Sequence, residues 1–165
     1  MRHGAAAPVG PGGTDHARAL TAAGEDEATA AGALLRARGL VPDLVVTSDA
    51  LRALRTTALL VGDDGWPVRV EPDVYEASPQ RLGAVLGRLP ADVATAVLVC
   101  HEPGASGLSV ALAGPSADPA AGALRGRLMA GLRTAEAAVL RWDGGWDDLV
   151  AATAELVEVL GPDGA

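Results

Sequence analysis

The 165-residue chain contains no phenylalanine and no lysine, has a single cysteine, and carries aromatic side chains at only 2% of its positions. Each shortage excludes something. With 49% hydrophobic residues and no Phe, the interior has to be built from Ala, Val, Leu and Gly, so its packing is aliphatic. Cys100 has no second thiol to pair with, which rules out an internal disulfide. No apolar run approaches the ~20 residues that span a bilayer. The first residues also lack the charged-then-apolar pattern of a secretory signal, so a cytoplasmic location is expected. All 13 basic residues are arginine and face 21 acidic ones, giving a net charge of -8. Such a field repels nucleic acid and anionic membranes. It repels a phosphorylated partner at long range too, so a phosphate site in this chain must be a local convergence of a few Arg and His side chains.

The length suits one domain, expected over residues 1–160, with 161–165 as a disordered tail. Aliphatic runs at 44–47, 96–100 and 137–142 read as buried strands, and 68–70 as an edge strand. The segment 20–39 reads as a helix, with Thr21 at its N-cap, acidic residues in its first turn and Arg36, Arg38 and Gly39 at its end. Residues 49–61 form a second helical pattern, opened by Ser48 or Asp49 and stopped by Gly62, and residues 79–89 a third. The Gly- and Pro-rich stretches 5–13, 62–67 and 114–126 read as loops, and the apolar-acidic alternation over 149–160 as a closing helix. Strands alternating with helices predict an α/β domain: a three-layer sandwich with a largely parallel central sheet flanked by helices.

In such sheets ligands bind beyond the carboxyl ends of the strands. Ser48 and Arg52 follow the 44–47 strand, His101 and Glu102 follow the 96–100 strand, and Arg2, His3 and Gly4 stand at the start of the chain. Two histidines and two arginines thus fall on one expected edge of the sheet. His3, His16 and His101 lack the close paired spacing of a zinc site, and neither a metal nor another cofactor is expected.

Five segments carry a family likeness: Arg2-His3-Gly4, residues 15–24 (DHARALTAAG), 48–56 (SDALRALRT), Tyr75-Glu76-Ala77 and 97–104 (VLVCHEPG). In this order the set resembles the histidine phosphatase superfamily, and within it the small SixA-like phosphohistidine phosphatases. The resemblance implies a phosphatase acting on a phosphorylated protein or a small phosphate ester. It makes His3 the nucleophile, Arg2 and Arg52 the phosphate clamps and His101 a second phosphate contact, with Gly4 allowing close backbone approach. Each role has a chemical reason. A neutral imidazole can attack phosphorus and split one displacement into two, and Arg offers planar paired donors to the equatorial oxygens. Glu102, directly after the second histidine, and Glu76 are the candidates for protonating the leaving group, with Glu102 preferred.

Around these residues, Asp15 and Arg18 are expected to brace their loop, His16 and Arg55 to be solvated, and Cys100 to be a buried thiol. One departure stands out. Relatives have an apolar strand before the Arg-His-Gly tripeptide, whereas here that tripeptide begins at residue 2. Either the chain is truncated ahead of Met1, or residues 1–4 are held without that first strand, in which case its slot is expected to be empty or refilled and backbone groups unpaired. That loss would favour an alternative function, a phosphate-binding or interaction module without turnover. The short spacing from Arg52 to His101 disfavours a phosphoglycerate mutase.

Overall fold

Thr21 opens the first helix, its hydroxyl accepting from the Gly24 amide, and α1 then runs over Ala22–Ala37. A left-handed Gly39 (φ 68°) ends it, with the Leu40 amide folding back to the Leu35 carbonyl. The remaining elements are β1 (Leu44–Thr47), α2 (Leu51–Val61), β2 (Val68–Val70), α3 (Pro79–Leu86), β3 (Ala96–Val99), α4 (Gly104–Leu112), α5 (Pro119–Met129), β4 (Ala137–Arg141) and β5 (Glu155–Leu160). The structure is a computed structural model that describes residues 1–115, 118–149 and 151–162.

Strands β2, β1 and β3 form a parallel sheet in that order, with Val46 opposite both Arg69 and Leu98. Alternation along β1 sends Val45 and Val46 to opposite faces, and both are wholly buried. Val45 joins a cluster with Leu35, Leu60 and Val61, whereas Val46 joins one with Leu82, Val85, Leu108 and Leu112. Helices therefore cover both faces of the sheet, as the alternation of strand and helix predicts.

The expected gap in the sheet is filled. A regular strand is absent there, but residues 1–3 lie parallel to β3 and continue the ladder: Met1 N donates to Leu98 O (2.7 Å), Cys100 N to Met1 O (3.0 Å) and His3 N to Cys100 O (3.1 Å). On their other side Arg2 N donates to Glu136 O (2.9 Å) and Ala135 N to His3 O (3.1 Å). Met1, Arg2 and His3 each make backbone hydrogen bonds to one flank or the other, so the slot is refilled rather than empty.

Other expectations are corrected. The closing segment is not a helix: Glu155–Leu160 is β5, antiparallel to β4 with a register shift at Val139/Leu140. The stretch read as a loop over 114–126 contains the first two turns of α5, opened by Asp118, whose carboxylate accepts from Ala120 N, with Pro119 in the first turn. Helix α2 begins at Leu51 rather than Asp49, after an Ala50 that offers no capping side chain. Of the expected tail, Gly161 is buried beneath Glu136, Pro162 follows it, and 163–165 lie outside the described residues.

Candidate active site

The stub at residues 1–3 delivers His3 beside the carboxyl end of β3, where His101 emerges, and the first turn of α2 aims Arg52 between the two. All three side chains are buried, at 8%, 4% and 3% exposure, which is unusual for an arginine and requires that its donors be satisfied. They are. Arg52 Nε donates to His3 Nε2 (3.1 Å), one terminal nitrogen lies 3.1 Å from His101 Nδ1 and 2.9 Å from Asp15 Oδ2, and the other donates to Asp15 O (2.7 Å).

These contacts fix the protons. The Gly4 carbonyl, 2.7 Å from His3 Nδ1, can only accept, so Nδ1 carries the hydrogen and the Nε2 lone pair faces Arg52. At His101 the guanidinium takes the Nδ1 lone pair, so the hydrogen sits on Nε2 and points at the Ser48 hydroxyl, 2.9 Å away. Burial is the main reason both rings stay neutral. It lowers His3 to a pKa of about 4, against the opposing bond to Gly4 and with help from Arg52, Arg2 and Arg18. It lowers His101 to about 3, with Arg52 adding to the effect.

Asp15 is more than a loop brace. Its carboxylate accepts from Arg18, Arg52 and the Tyr75 hydroxyl, each at 2.9 Å, and these bonds, with Arg18 foremost, hold it far below the usual carboxylate range. Sequence reasoning missed Tyr75 as well, although it sits in a quoted motif. Its ring meets His101 edge-on at 5.4 Å and lies 5.8 Å from the Arg52 guanidinium. Thr56, wholly buried, ties α2 to the loop after His3 by accepting from Gly4 N (3.0 Å) and donating to Arg52 O (2.7 Å).

Arg2 sends one terminal nitrogen to Leu132 O (2.9 Å), while its Nε is buried with no hydrogen-bond partner among the described residues. Its charge also acts on His3, and a buried cationic donor left open suits an oxyanion. Gly4 also has a packing reason to be glycine. A Cβ there would lie 2.4 Å from Gly24 O, and one on Gly24 would lie 2.0 Å from Ala5 O, so the pair lets the loop lie directly on the first turn of α1.

Glu102 and Glu76, the carboxylates expected to protonate the leaving group, are not joined to this cluster. Glu102 accepts from Ser106 Oγ (2.5 Å) and Ser106 N (3.2 Å), which bends it over the start of α4. Glu76 is exposed, on a backbone turned to φ 44°, and no described hydrogen bond links it to His3, Arg52 or His101. Arg55 pairs with Glu25 on the surface, and burial pushes the Cys100 thiol up.

Residues 1–100, which carry His3, Arg52 and the strand leading to His101, match the histidine phosphatase superfamily, branch 1. The chain belongs to that superfamily. Among relatives of this histidine phosphatase, an uncharacterized protein of Mycobacterium tuberculosis is 38% identical over 157 residues, covering 95% of this chain and 96% of its own. The structure assigned as phosphohistidine phosphatase SixA of Nakamurella multipartitia shares 34% identity with a TM-score of 0.84, covering 97% of this chain and 92% of that one. The corresponding Agrobacterium tumefaciens structure shares 25% identity with a TM-score of 0.79, covering 97% and 94%. This histidine phosphatase is thus SixA-like in fold over almost its whole described length. No helix among the described residues is long and apolar enough to cross a membrane.

Proposed function

We propose that the protein is a phosphatase that hydrolyses a phosphohistidine or another phosphomonoester through a covalent phosphohistidine on His3. The observation that carries this reading is the tautomer of His3: its Nε2 lone pair is free of hydrogen, directed at the guanidinium of Arg52, and backed by the Gly4 carbonyl on Nδ1. When a phosphoryl group enters, its oxygens take the Arg52 donors now resting on the imidazoles, and the Arg2 Nε gains a partner. The exposed Nε2 lone pair then attacks phosphorus. Once phosphorylated, the ring is cationic, and the Gly4 carbonyl stabilises the Nδ1–H of that cation. Arg2, Arg52 and His101 surround the equatorial oxygens, where charge concentrates during transfer. Water then attacks the same phosphorus and returns the electron pair to His3.

Solved relatives of the same fold assigned as phosphohistidine phosphatases support a phosphohistidine as substrate. The alternative of a binding module without turnover rested on an empty slot in the sheet, and the paired residues 1–3 remove that support. The test is turnover of a phosphohistidine protein and of p-nitrophenyl phosphate, together with trapping of labelled phosphoenzyme. His3→Ala is expected to abolish both while leaving the circular dichroism unchanged. Residual turnover above about 1% would contradict the nucleophile, because losing a covalent route costs orders of magnitude.

A further inference from the structure

The geometry points to His16 as the proton carrier for the leaving group, working with Asp49. This inference rests on the phosphatase reading and extends it to a residue outside the phosphate cluster.

The site contains donors in abundance but few groups able to give up a proton. Arginine does not deprotonate in proteins. His3 and His101 are driven neutral by burial, and the His101 Nε2 hydrogen is directed at Ser48. The Tyr75 hydroxyl donates to Asp15, and burial pushes its phenol upward. Glu102 is folded onto Ser106. Glu76 is exposed and makes no described hydrogen bond to this group, whereas His16 packs against it. Its ring meets Tyr75 edge-on at 4.8 Å, and Tyr75 in turn meets His101 at 5.4 Å, so three rings run from the phosphate cluster out to the rim. The His16 side chain is 42% exposed, the position of a group that faces whatever departs rather than what stays behind.

The backbone holds His16 in place on both sides. The carbonyl of Asp15, just before it, accepts from Arg52 (2.7 Å), and its own carbonyl accepts from Leu51 N (3.1 Å), standing in for the side-chain cap that Ala50 cannot offer α2. The imidazole is therefore tied to the same helix turn that aims Arg52.

Asp49 supplies the second observation. Its Oδ1 is buried and takes no aligned hydrogen bond, yet His16 Nε2 stands 3.0 Å from it. A buried carboxylate oxygen needs a cation or donor close by, and here it faces one ring nitrogen of His16, leaving Nδ1 as the nitrogen free to exchange a proton with substrate. The charged or titratable groups around His16 are thus Asp49 beside it, Asp15 before it, and Tyr75, Arg52 and His101 on its inner side.

The steps balance. As the His3 Nε2 lone pair forms the bond to phosphorus, the bond from phosphorus to the leaving oxygen or nitrogen breaks. Its electron pair stays on that atom, which takes the proton from His16 Nδ1. In the second half, neutral His16 accepts a proton from the attacking water as the new P–O bond forms and the P–Nε2 bond opens. Phosphate departs and His16 is again protonated.

Such assistance matters in proportion to how poor the leaving group is. Rates toward phenyl phosphate and p-nitrophenyl phosphate should therefore be compared for wild type, His16→Asn and Asp49→Asn. For His16→Asn, kcat/KM toward phenyl phosphate is expected to fall about 100-fold, with a fall at least tenfold smaller toward p-nitrophenyl phosphate. Asp49→Asn should show the same selective pattern at smaller amplitude. Equal losses on both substrates would mark His16 as structural, and no loss on phenyl phosphate would leave it no role; either outcome overturns the inference. If wild type turned over neither substrate nor a phosphohistidine protein, the phosphatase reading itself would fall, and this inference with it.

Discussion

Arg52 is only as well aimed as Asp15 makes it, and Asp15→Asn isolates that dependence at almost unchanged volume. The substitution replaces a carboxylate that accepts from Arg52, Tyr75 and Arg18, each at 2.9 Å, with an amide that presents an NH2 group to one of those donors. A hydrogen bond to a charged group contributes roughly 1.5–3 kcal/mol. The Asp15 side chain is 36% exposed, so solvent screening reduces the Arg52 contribution to about 1–2 kcal/mol. Removing the carboxylate also unmasks positive charge that favours a phosphate dianion, worth about 1 kcal/mol at 4 Å in water. Misdirection of the donors outweighs this gain because one of the two carboxylate oxygens is lost as an acceptor and the other loses its charge. Vanadate affinity measured by calorimetry should fall about 2–5-fold, the net of the two effects. The loss should also vanish in an Arg52→Ala background, since the two side chains act as one unit. Unchanged or tighter binding, or a loss that simply adds to that of Arg52→Ala, would refute the coupling.

The neutral state of the two buried imidazoles gives a pH signature. Their folded values, about 4 for His3 and about 3 for His101, lie below those of the unfolded chain, so unfolded molecules take up protons first as pH falls below about 6.5. Stability should be full above that pH and lower by roughly 2–4 kcal/mol at pH 5 in urea unfolding, while nitrogen NMR shows both rings still neutral at that pH in the folded protein. Gly24→Ala forces a Cβ to within 2.0 Å of the Ala5 carbonyl oxygen. The clash should cost about 1–3 kcal/mol despite the better helix propensity of alanine, seen as a lower melting temperature, and a neutral or stabilising effect would disprove the close contact.

Much of this was legible in the sequence. The caps and stops of α1, the Gly62 that ends α2 and the strand-end positions of Arg52 and His101 all follow local rules whose signals lie within a few residues. What escaped depends on partners far along the chain. β5 reads Glu-Leu-Val-Glu-Val-Leu, a pattern that fits neither a clean two-residue nor a 3.6-residue period, because its pairing with β4 shifts register midway. The start of α5 is hidden among Gly, Ala and Pro, although Asp118-Pro119 was a usable start signal. Glu136 is almost fully buried between Arg127 and Arg133, and its carbonyl pairs with Arg2, an arrangement that nothing near residue 136 announces. The stub at residues 1–3 was underestimated because its pairing partners lie nearly 100 and 135 residues away.

The single guanidinium shared by His3 and His101 carries a consequence for turnover. Both imidazole lone pairs rest on the Arg52 donors that phosphate oxygens would take in the proposed mechanism. The enzyme thus holds its own competitor, at an effective concentration no dissolved ion matches. On the proposed mechanism, inorganic phosphate would leave a pocket that heals behind it rather than one left with bare cations, which would favour letting the product go over holding it.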